Sequence, residues 1–385
     1  MKLARRLQLL PPYLFLEIDK AKRKARAEGR DIIDLGIGDP DQPTPKHVID
    51  KLYKAAQDPV NHRYALDQGM PVLRQAIAKW NKERFGVTLN PENEILPLIG
   101  SKEGIAHFPL AFVNPGDYTL VPDPCYPPYK GGTILAGGKP YLMPLIEKNN
   151  FLPDFKKIPA SILKKAKYIY LNYPNNPTSA IAGKDFYLEA IKFAQKNKLV
   201  IVSDIAYSEM AYDGCRPMSM LEIDGAKEIV IEFHSLSKTY NMTGWRVGWA
   251  CGDPALVAGL AKVKSNLDSG IFSAIQLAAV AAIETPAAHL ENMCAMYQER
   301  RDTLVQGLRA MGWPVESPKA TFYVWFKAPA KFDSITAARH ILDKADIVLT
   351  PGVGFGKYGE GYLRIALTVN KERIKEAVGR LQKIF

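Results

Sequence analysis

The sequence predicts an α/β protein: a large module built on a mainly parallel sheet, then a smaller α+β module at the C-terminal end. Two patterns carry that reading. Between roughly residues 90 and 250, short β-branched runs alternate with helix-length amphipathic stretches. Strands that alternate with helices pair in parallel, with both faces covered. The strand-like runs are Tyr118–Val121, Tyr168–Leu171, Leu199–Val202, Ile229–Phe233 and Val247–Cys251. The helix-like stretches are Lys102–Val113, Lys184–Asn197 and Pro254–Lys264. Over the last hundred residues the pattern changes. Glu291–Met311 reads as one long helix, Thr321–Phe326 and Tyr362–Leu367 as strands, and Lys371–Ile384 as a closing helix. Residues 1–40 lack a core of their own and are expected to form an arm packed on the small module. That leaves 41–284 for the large domain and 285–385 for the small one.

Composition narrows the class. The chain has 385 residues, 47% hydrophobic and 24% charged, an ordinary globular balance that excludes a disordered chain or a disulfide-stapled scaffold. Its 28 Gly and 28 Pro follow no fixed period, which excludes a collagen-like repeat. The four cysteines, Cys125, Cys215, Cys251 and Cys294, form no C-x-x-C or zinc-type cluster and read as free thiols in a reducing compartment. Met1 to Phe15 is basic, meets Pro11-Pro12, and lacks the apolar stretch of a secretory signal. The longest apolar candidate, Ala274–Ile283, is about half of the ~20 residues needed to span a bilayer. A soluble cytoplasmic protein is expected. The net charge of +11 is spread among acidic residues, and even the densest basic stretch, Lys20–Arg30, contains Glu28. It reads as a solvated helix face, so neither nucleic acid nor membrane is expected as a partner.

In an open α/β sheet, ligands bind beyond the carboxyl ends of the strands. Three successive apolar runs deliver polar groups there. Asn172-Tyr173-Pro174-Asn175-Asn176-Pro177-Thr178 follows the first, Ser203-Asp204-Ile205-Ala206-Tyr207 the second, and His234-Ser235-Leu236-Ser237-Lys238-Thr239 the third. One cleft would thus hold an amide, a carboxylate with a phenol, and a lysine flanked by hydroxyls. Gly100-Ser101-Lys102-Glu103-Gly104 opens a helix, whose free N–H groups and dipole suit an anion. Arg246, in Gly244-Trp245-Arg246-Val247-Gly248, enters an apolar strand and needs an anion partner. Each residue alone has a structural alternative. Asp204 could cap a turn, Lys238 could face solvent, Ser101 could serve only as an N-cap, and Arg246 could answer a structural carboxylate. A phosphate cradle, a strand-end lysine and a carboxylate together fit pyridoxal 5′-phosphate (PLP). Its aldehyde takes an amine, its ring nitrogen an anion and its phosphate a positive pocket.

Ser235-x-Ser237-Lys238-Thr239 followed by Gly244-Trp245-Arg246-Val247-Gly248 resembles the PLP-lysine signature of the fold-type I, class I/II aminotransferases. Asn176-Pro177-Thr178, Asp204-x-x-Tyr207 and Tyr126-Pro127 match further motifs of that family in the right order. The resemblance runs from about Tyr13 to the C-terminal helix, and it implies a seven-stranded large sheet and a PLP-dependent transaminase. It assigns Lys238 to carrying the cofactor and moving the proton, Asp204 to the pyridinium nitrogen, and Tyr207 and Asn176 to the ring oxygen. Tyr126 would cover the ring face, with Ser101, Lys102, Ser235, Ser237 and Arg246 around the phosphate. Tyr64 resembles a tyrosine that reaches the phosphate from a neighbouring subunit, implying a homodimer with shared sites; its alternative is a surface tyrosine. Ser179 departs from the family, which usually has Gly after Asn-Pro-Thr, and is expected to shift a turn without touching a reacting group.

In Tyr362-Leu363-Arg364-Ile365-Ala366-Leu367, alternation puts Arg364 opposite the face of Leu363, Ile365 and Leu367. A guanidinium suits bidentate binding of a carboxylate, and the resemblance assigns Arg364 the substrate α-carboxylate. Gly38, in Leu35-Gly36-Ile37-Gly38-Asp39, resembles a loop glycine whose backbone meets the same group; its alternative is a tight turn. The Pro12-Tyr13-Leu14-Phe15 segment and Gly100-Ser101-Lys102-Glu103-Gly104-Ile105-Ala106-His107 are similar to the LL-diaminopimelate aminotransferase branch. That branch works in lysine biosynthesis with 2-oxoglutarate and glutamate. Its substrate carries a second ammonium and a second carboxylate. Asp67 stands where plant-type members carry Glu and would receive the distal ammonium across a dimer interface, or else lie in a solvated loop. Lys102 and Tyr13, with Asn176 nearby, would meet the rest of the substrate. Ser273 stands where some members use Asn. Aspartate, alanine and aromatic aminotransferases share the same core motifs, as do PLP lyases and synthases. An aminotransferase-like transcription regulator would need a DNA-binding module, for which about thirty leading residues are too few.

Overall fold

The computed structural model describes residues 2–11 and 14–385. Its short first strand, β1 (Ile33–Asp34), joins the far end of the chain. The large sheet is built from β2 (Ile95–Leu98), β3 (Tyr118–Asp123), β4 (Lys139–Pro144), β5 (Ala166–Asn172), β6 (Val200–Asp204), β7 (Val230–Ser235) and β8 (Gly248–Gly252). These seven strands run in the order β2-β8-β7-β6-β5-β3-β4. Pairing is parallel from β4 through β7, and β8 runs antiparallel to β7 and β2. The mainly parallel expectation holds, with β8 as its one reversal among the described strands.

Alternation along the strands divides the core. In β5, Tyr168 and Tyr170 pack with Val202, Phe233 and the helix residue Phe108 on one face. Ile169 and Leu171 pack with Ile201, Val230 and the helix residues Ala190 and Ile191 on the other. Both sets are nearly solvent-free, as a central parallel sheet covered by helices requires. The helices Lys184–Asn197 and Pro254–Lys264 have the expected bounds. The long C-terminal helix begins earlier than expected, spanning Ala287–Ala310 behind Pro286. Proline suits a helix start because no intrahelical acceptor awaits its missing N–H.

The C-terminal sheet joins β9 (Tyr323–Lys327), β11 (Thr350–Pro351) and β12 (Tyr362–Ala366) in the order β11-β12-β9, all antiparallel. β1 pairs in parallel with β10 (Ile347–Val348). Leu304, Leu308, Val324, Leu363, Ile365 and Ile374 form its core, and Ile33 and Leu35 join them. The early helix Arg5–Gln8, by contrast, contacts Pro128–Leu135 beside the large sheet. No helix among the described residues is long and apolar enough to cross a membrane.

Two contacts tie the modules together beside the carboxyl strand ends. Asp123, at the end of β3, accepts from Lys130 Nζ (2.7 Å) and from the Tyr358 N–H (3.0 Å). The Cys125 N–H donates to the Phe355 carbonyl (3.0 Å). Gly356 permits that approach, because a Cβ there would lie 2.2 Å from Asp123 Oδ1. The loop carrying Phe355 is thereby fixed against the large sheet.

Candidate active site

A cavity of about 500 Å³ opens where β5, β6 and β7 end. Asp204 is the last residue of β6 and is buried. Burial raises its carboxyl to about 6, against the hydrogen bonds from Tyr129 and Ala206 that favour the anion. Tyr129 donates to Asp204 Oδ2 (2.7 Å), and the Ala206 N–H reaches Oδ1 (3.3 Å). Asn172 ties two loops: its Nδ2 donates to the Asp204 carbonyl (2.8 Å), and its Oδ1 accepts from the Asn176 N–H (2.9 Å). The loop carrying Asn176 is thereby tied to the end of β6.

Lys238 sits in the one-turn helix Leu236–Thr239 that follows β7. Its Nζ donates to the Gly38 carbonyl (2.7 Å) and lies 5.6 Å from the Phe322 ring centroid. Burial lowers its ammonium to about 8; Arg364 and Arg246 push the same way and Asp39 opposes them. The amine therefore sheds its proton more readily than a surface lysine and becomes the nucleophile a carbonyl needs. Gly38 has no room for a side chain, since a Cβ would fall 2.0 Å from the Tyr323 hydroxyl.

The phosphate-type corner differs from expectation in two details. The N-cap of the helix Ser101–Phe112 is Gly100 (φ 76°), so Ser101 is its first helical residue rather than its cap. Arg246 does not enter a strand. It precedes β8, and a left-handed backbone (φ 58°) turns it out of the sheet to line the cavity. Its Nη1 donates to the Thr243 carbonyl (2.7 Å). A Cβ on Gly100 would stand 2.2 Å from Arg246 Nη2, so the glycine leaves space for the guanidinium at the helix start. Ser235, Ser237, Lys102 and Tyr126 line the same cavity.

Arg364 is 3% exposed and has no ion-pair partner among the described residues. Its Nη1 donates to Asn176 Oδ1 (2.7 Å) and its Nη2 to the Gly36 carbonyl (2.9 Å). Its Nε has no hydrogen-bond partner among the described residues. The guanidinium carbon lies 4.1 Å from the Tyr323 ring centroid and 4.6 Å from that of Phe355. An isolated buried guanidinium calls for an anion. Because arginine only donates, Asn176 must turn its oxygen toward Arg364, leaving its NH₂ for another acceptor.

These residues fit PLP. The cavity offers a buried carboxylate, a lysine of lowered pKa, an arginine beside a helix start for a phosphate, and a second arginine without an anionic partner among the described residues. Tyr207 is buried, and its hydroxyl meets that of Tyr323 at 3.0 Å. Of the residues singled out in the sequence, twelve line this cavity: Gly38, Ser101, Lys102, Tyr126, Asn176, Asp204, Tyr207, Ser235, Ser237, Lys238, Arg246 and Arg364. Tyr64 does not; it is 93% exposed. Asp67 lines a separate hollow with Leu66, Gln68 and Lys262. Tyr13 lies outside the described residues. Tyr129, Asn172, Tyr323 and Phe355 were missed. Tyr323 had a usable signal, because it sits two residues from the position opposite Arg364 and so shares its face.

The fold and cavity define a PLP-dependent aminotransferase of fold type I. The aminotransferase class I and II family matches residues 30–381, and the chain belongs to it. It is 53% identical over 385 residues to the LL-diaminopimelate aminotransferase of Moorella thermoacetica, covering 100% of this chain and 99% of that protein. It is 53% identical over 381 residues to the enzyme of the same name from Dehalococcoides mccartyi, covering 99% and 98%. The substrate-bound BacF structure from Bacillus subtilis matches with a TM-score of 0.95 at 38% identity, covering 100% of this chain and 98% of that one.

Proposed function

We propose that the chain is a cytoplasmic LL-diaminopimelate aminotransferase of lysine biosynthesis, moving the amino group between LL-diaminopimelate and 2-oxoglutarate. Identity above one half along the full length of two relatives bearing that name carries the reading. When bound, PLP supplies an aldehyde that joins amines and a ring that takes up the electron pair left when the Cα proton departs. Lys238 holds the cofactor and moves that proton. Asp204 keeps the ring nitrogen charged, with Tyr129 fixing the carboxylate. Tyr207 and the Asn176 NH₂ hold the ring oxygen, and Tyr126 covers the ring face. Ser101, Lys102, Ser235, Ser237 and Arg246 hold the phosphate.

Arg364 and the Gly38 backbone take the substrate α-carboxylate. Lys102 and Tyr13 take the distal carboxylate. Tyr64 and Asp67 serve the cavity of a second copy of this chain, Asp67 receiving the distal ammonium. Supporting this, both lie outside their own cavity, in a segment where Val60, Tyr64 and Leu66 are exposed.

Arg364→Lys keeps the charge and loses the fork. KM for the amino donor is expected to rise about 5- to 150-fold, equivalent to ~1–3 kcal/mol. Unchanged kcat and KM would remove Arg364 as the carboxylate anchor. The substrate is tested with a panel of LL-diaminopimelate, aspartate, alanine and tyrosine against 2-oxoglutarate. The highest kcat/KM is expected for LL-diaminopimelate, and preference for any of the other three overturns the proposed substrate.

A further inference from the structure

Two residues facing each other across the two modules have left-handed backbones without being glycine: Ser179 (φ 60°) and Thr321 (φ 66°). Such backbones are unfavourable for any residue with a Cβ, and more so for a β-branched one. They persist where the surroundings fix them. Both residues are buried. Ser179 Oγ lies 2.8 Å from the Tyr323 carbonyl oxygen and 2.8 Å from Thr321 Oγ1. A hydroxyl has one proton and a carbonyl none, so Ser179 donates to the carbonyl and accepts from Thr321. Thr321 Oγ1 in turn accepts from the Tyr323 N–H (3.0 Å). Thr321 is itself held, its N–H donating to the Met210 carbonyl (2.8 Å) and its carbonyl accepting from the Tyr212 hydroxyl (2.5 Å).

Ser179 also closes the turn that carries Asn176, its N–H donating to the Asn175 carbonyl (2.9 Å). One hydroxyl therefore joins the loop after β5 to the start of β9. The two residues it brings together both hold Arg364: Asn176 accepts from its Nη1, and Tyr323 lies against its guanidinium face. A glycine at 179 would adopt the same backbone without strain but could not make the bond.

We propose that Ser179 is a positioning residue for carboxylate binding. Its hydroxyl sets the spacing of Asn176 and Tyr323, and that frame aims the Arg364 guanidinium. The proposal rests on Arg364 being the carboxylate anchor.

The test compares Ser179→Gly and Ser179→Ala in the PLP-loaded enzyme, by thermal midpoint and by kcat and KM for the amino donor. Both lose the hydroxyl, but only glycine relieves the backbone. The Ser179→Gly midpoint is expected within about 2 °C of the parent, relief offsetting the lost bonds, and Ser179→Ala several degrees lower. KM is expected to rise about fivefold or more in both, with kcat changed less than twofold. Parental KM in Ser179→Gly overturns the proposal. So does a KM that follows the midpoint, rising in Ser179→Ala alone, because that marks a structural role only. Arg364→Lys assayed alongside separates the two ideas: its unchanged KM would sink the anchor itself, whereas a raised one beside a parental Ser179→Gly sinks only the frame.

Discussion

Lys238→Ala is expected to lower turnover by about 10³-fold or more and to abolish the visible absorbance of lysine-linked cofactor. The size follows from two losses at one atom. On the proposed roles, the amine that anchors the cofactor goes, and so does the base that moves the substrate proton, a function worth ~10²–10⁴ on its own. Lys238 Nζ donates to the Gly38 carbonyl and lines the cavity together with Arg364 and Asp204. Its pKa, lowered to about 8 by burial, suits an amine that must be both nucleophile and proton carrier. The other cavity lysine, Lys102, is exposed at the start of its helix. Near-parental turnover in Lys238→Ala, by stopped-flow or steady-state assay, would mean that another group does this chemistry.

Asp204→Asn is expected to slow turnover by about 10²–10³-fold while the protein still folds and retains cofactor. The asparagine fills nearly the same volume and can still meet Tyr129. What disappears is the negative charge in a buried site, where a charge acts far more strongly than in water. Since burial pushes the Asp204 carboxyl up to about 6, the anion is held at a cost and is ready to be compensated by a positive partner. A cationic ring nitrogen would be that partner. Single-turnover measurement of Cα proton removal checks this directly, and parental rates in the variant would contradict the assigned role.

Much of this site was legible because strand ends are sequence landmarks. Asn176, Asp204 and Lys238 each follow an apolar run, and parallel order brings those ends together without any knowledge of side-chain packing. Arg246 and Ser101 were harder. Their placement depends on backbone angles, φ 58° at Arg246 and φ 76° at Gly100, that apolar patterning does not encode. The edge strand Lys139–Pro144 went unseen, because two prolines and an initial lysine blunt the strand signal, features an edge tolerates. Tyr129 and Phe355 look like core aromatics in sequence. Tyr129 becomes a site residue only through a contact far along the chain, to Asp204, and Phe355 through the short loop that turns its ring against Arg364. Tyr64 and Asp67 do not line the cavity that holds Lys238 in their own chain, so their expected roles depend on a second copy.

The most direct measurement is borohydride reduction of the PLP-loaded enzyme followed by peptide mapping. A pyridoxyl group on Lys238 and on no other lysine is the predicted result. Reduction that leaves Lys238 unmodified, or that marks a different lysine in fully active enzyme, would contradict the account at its centre.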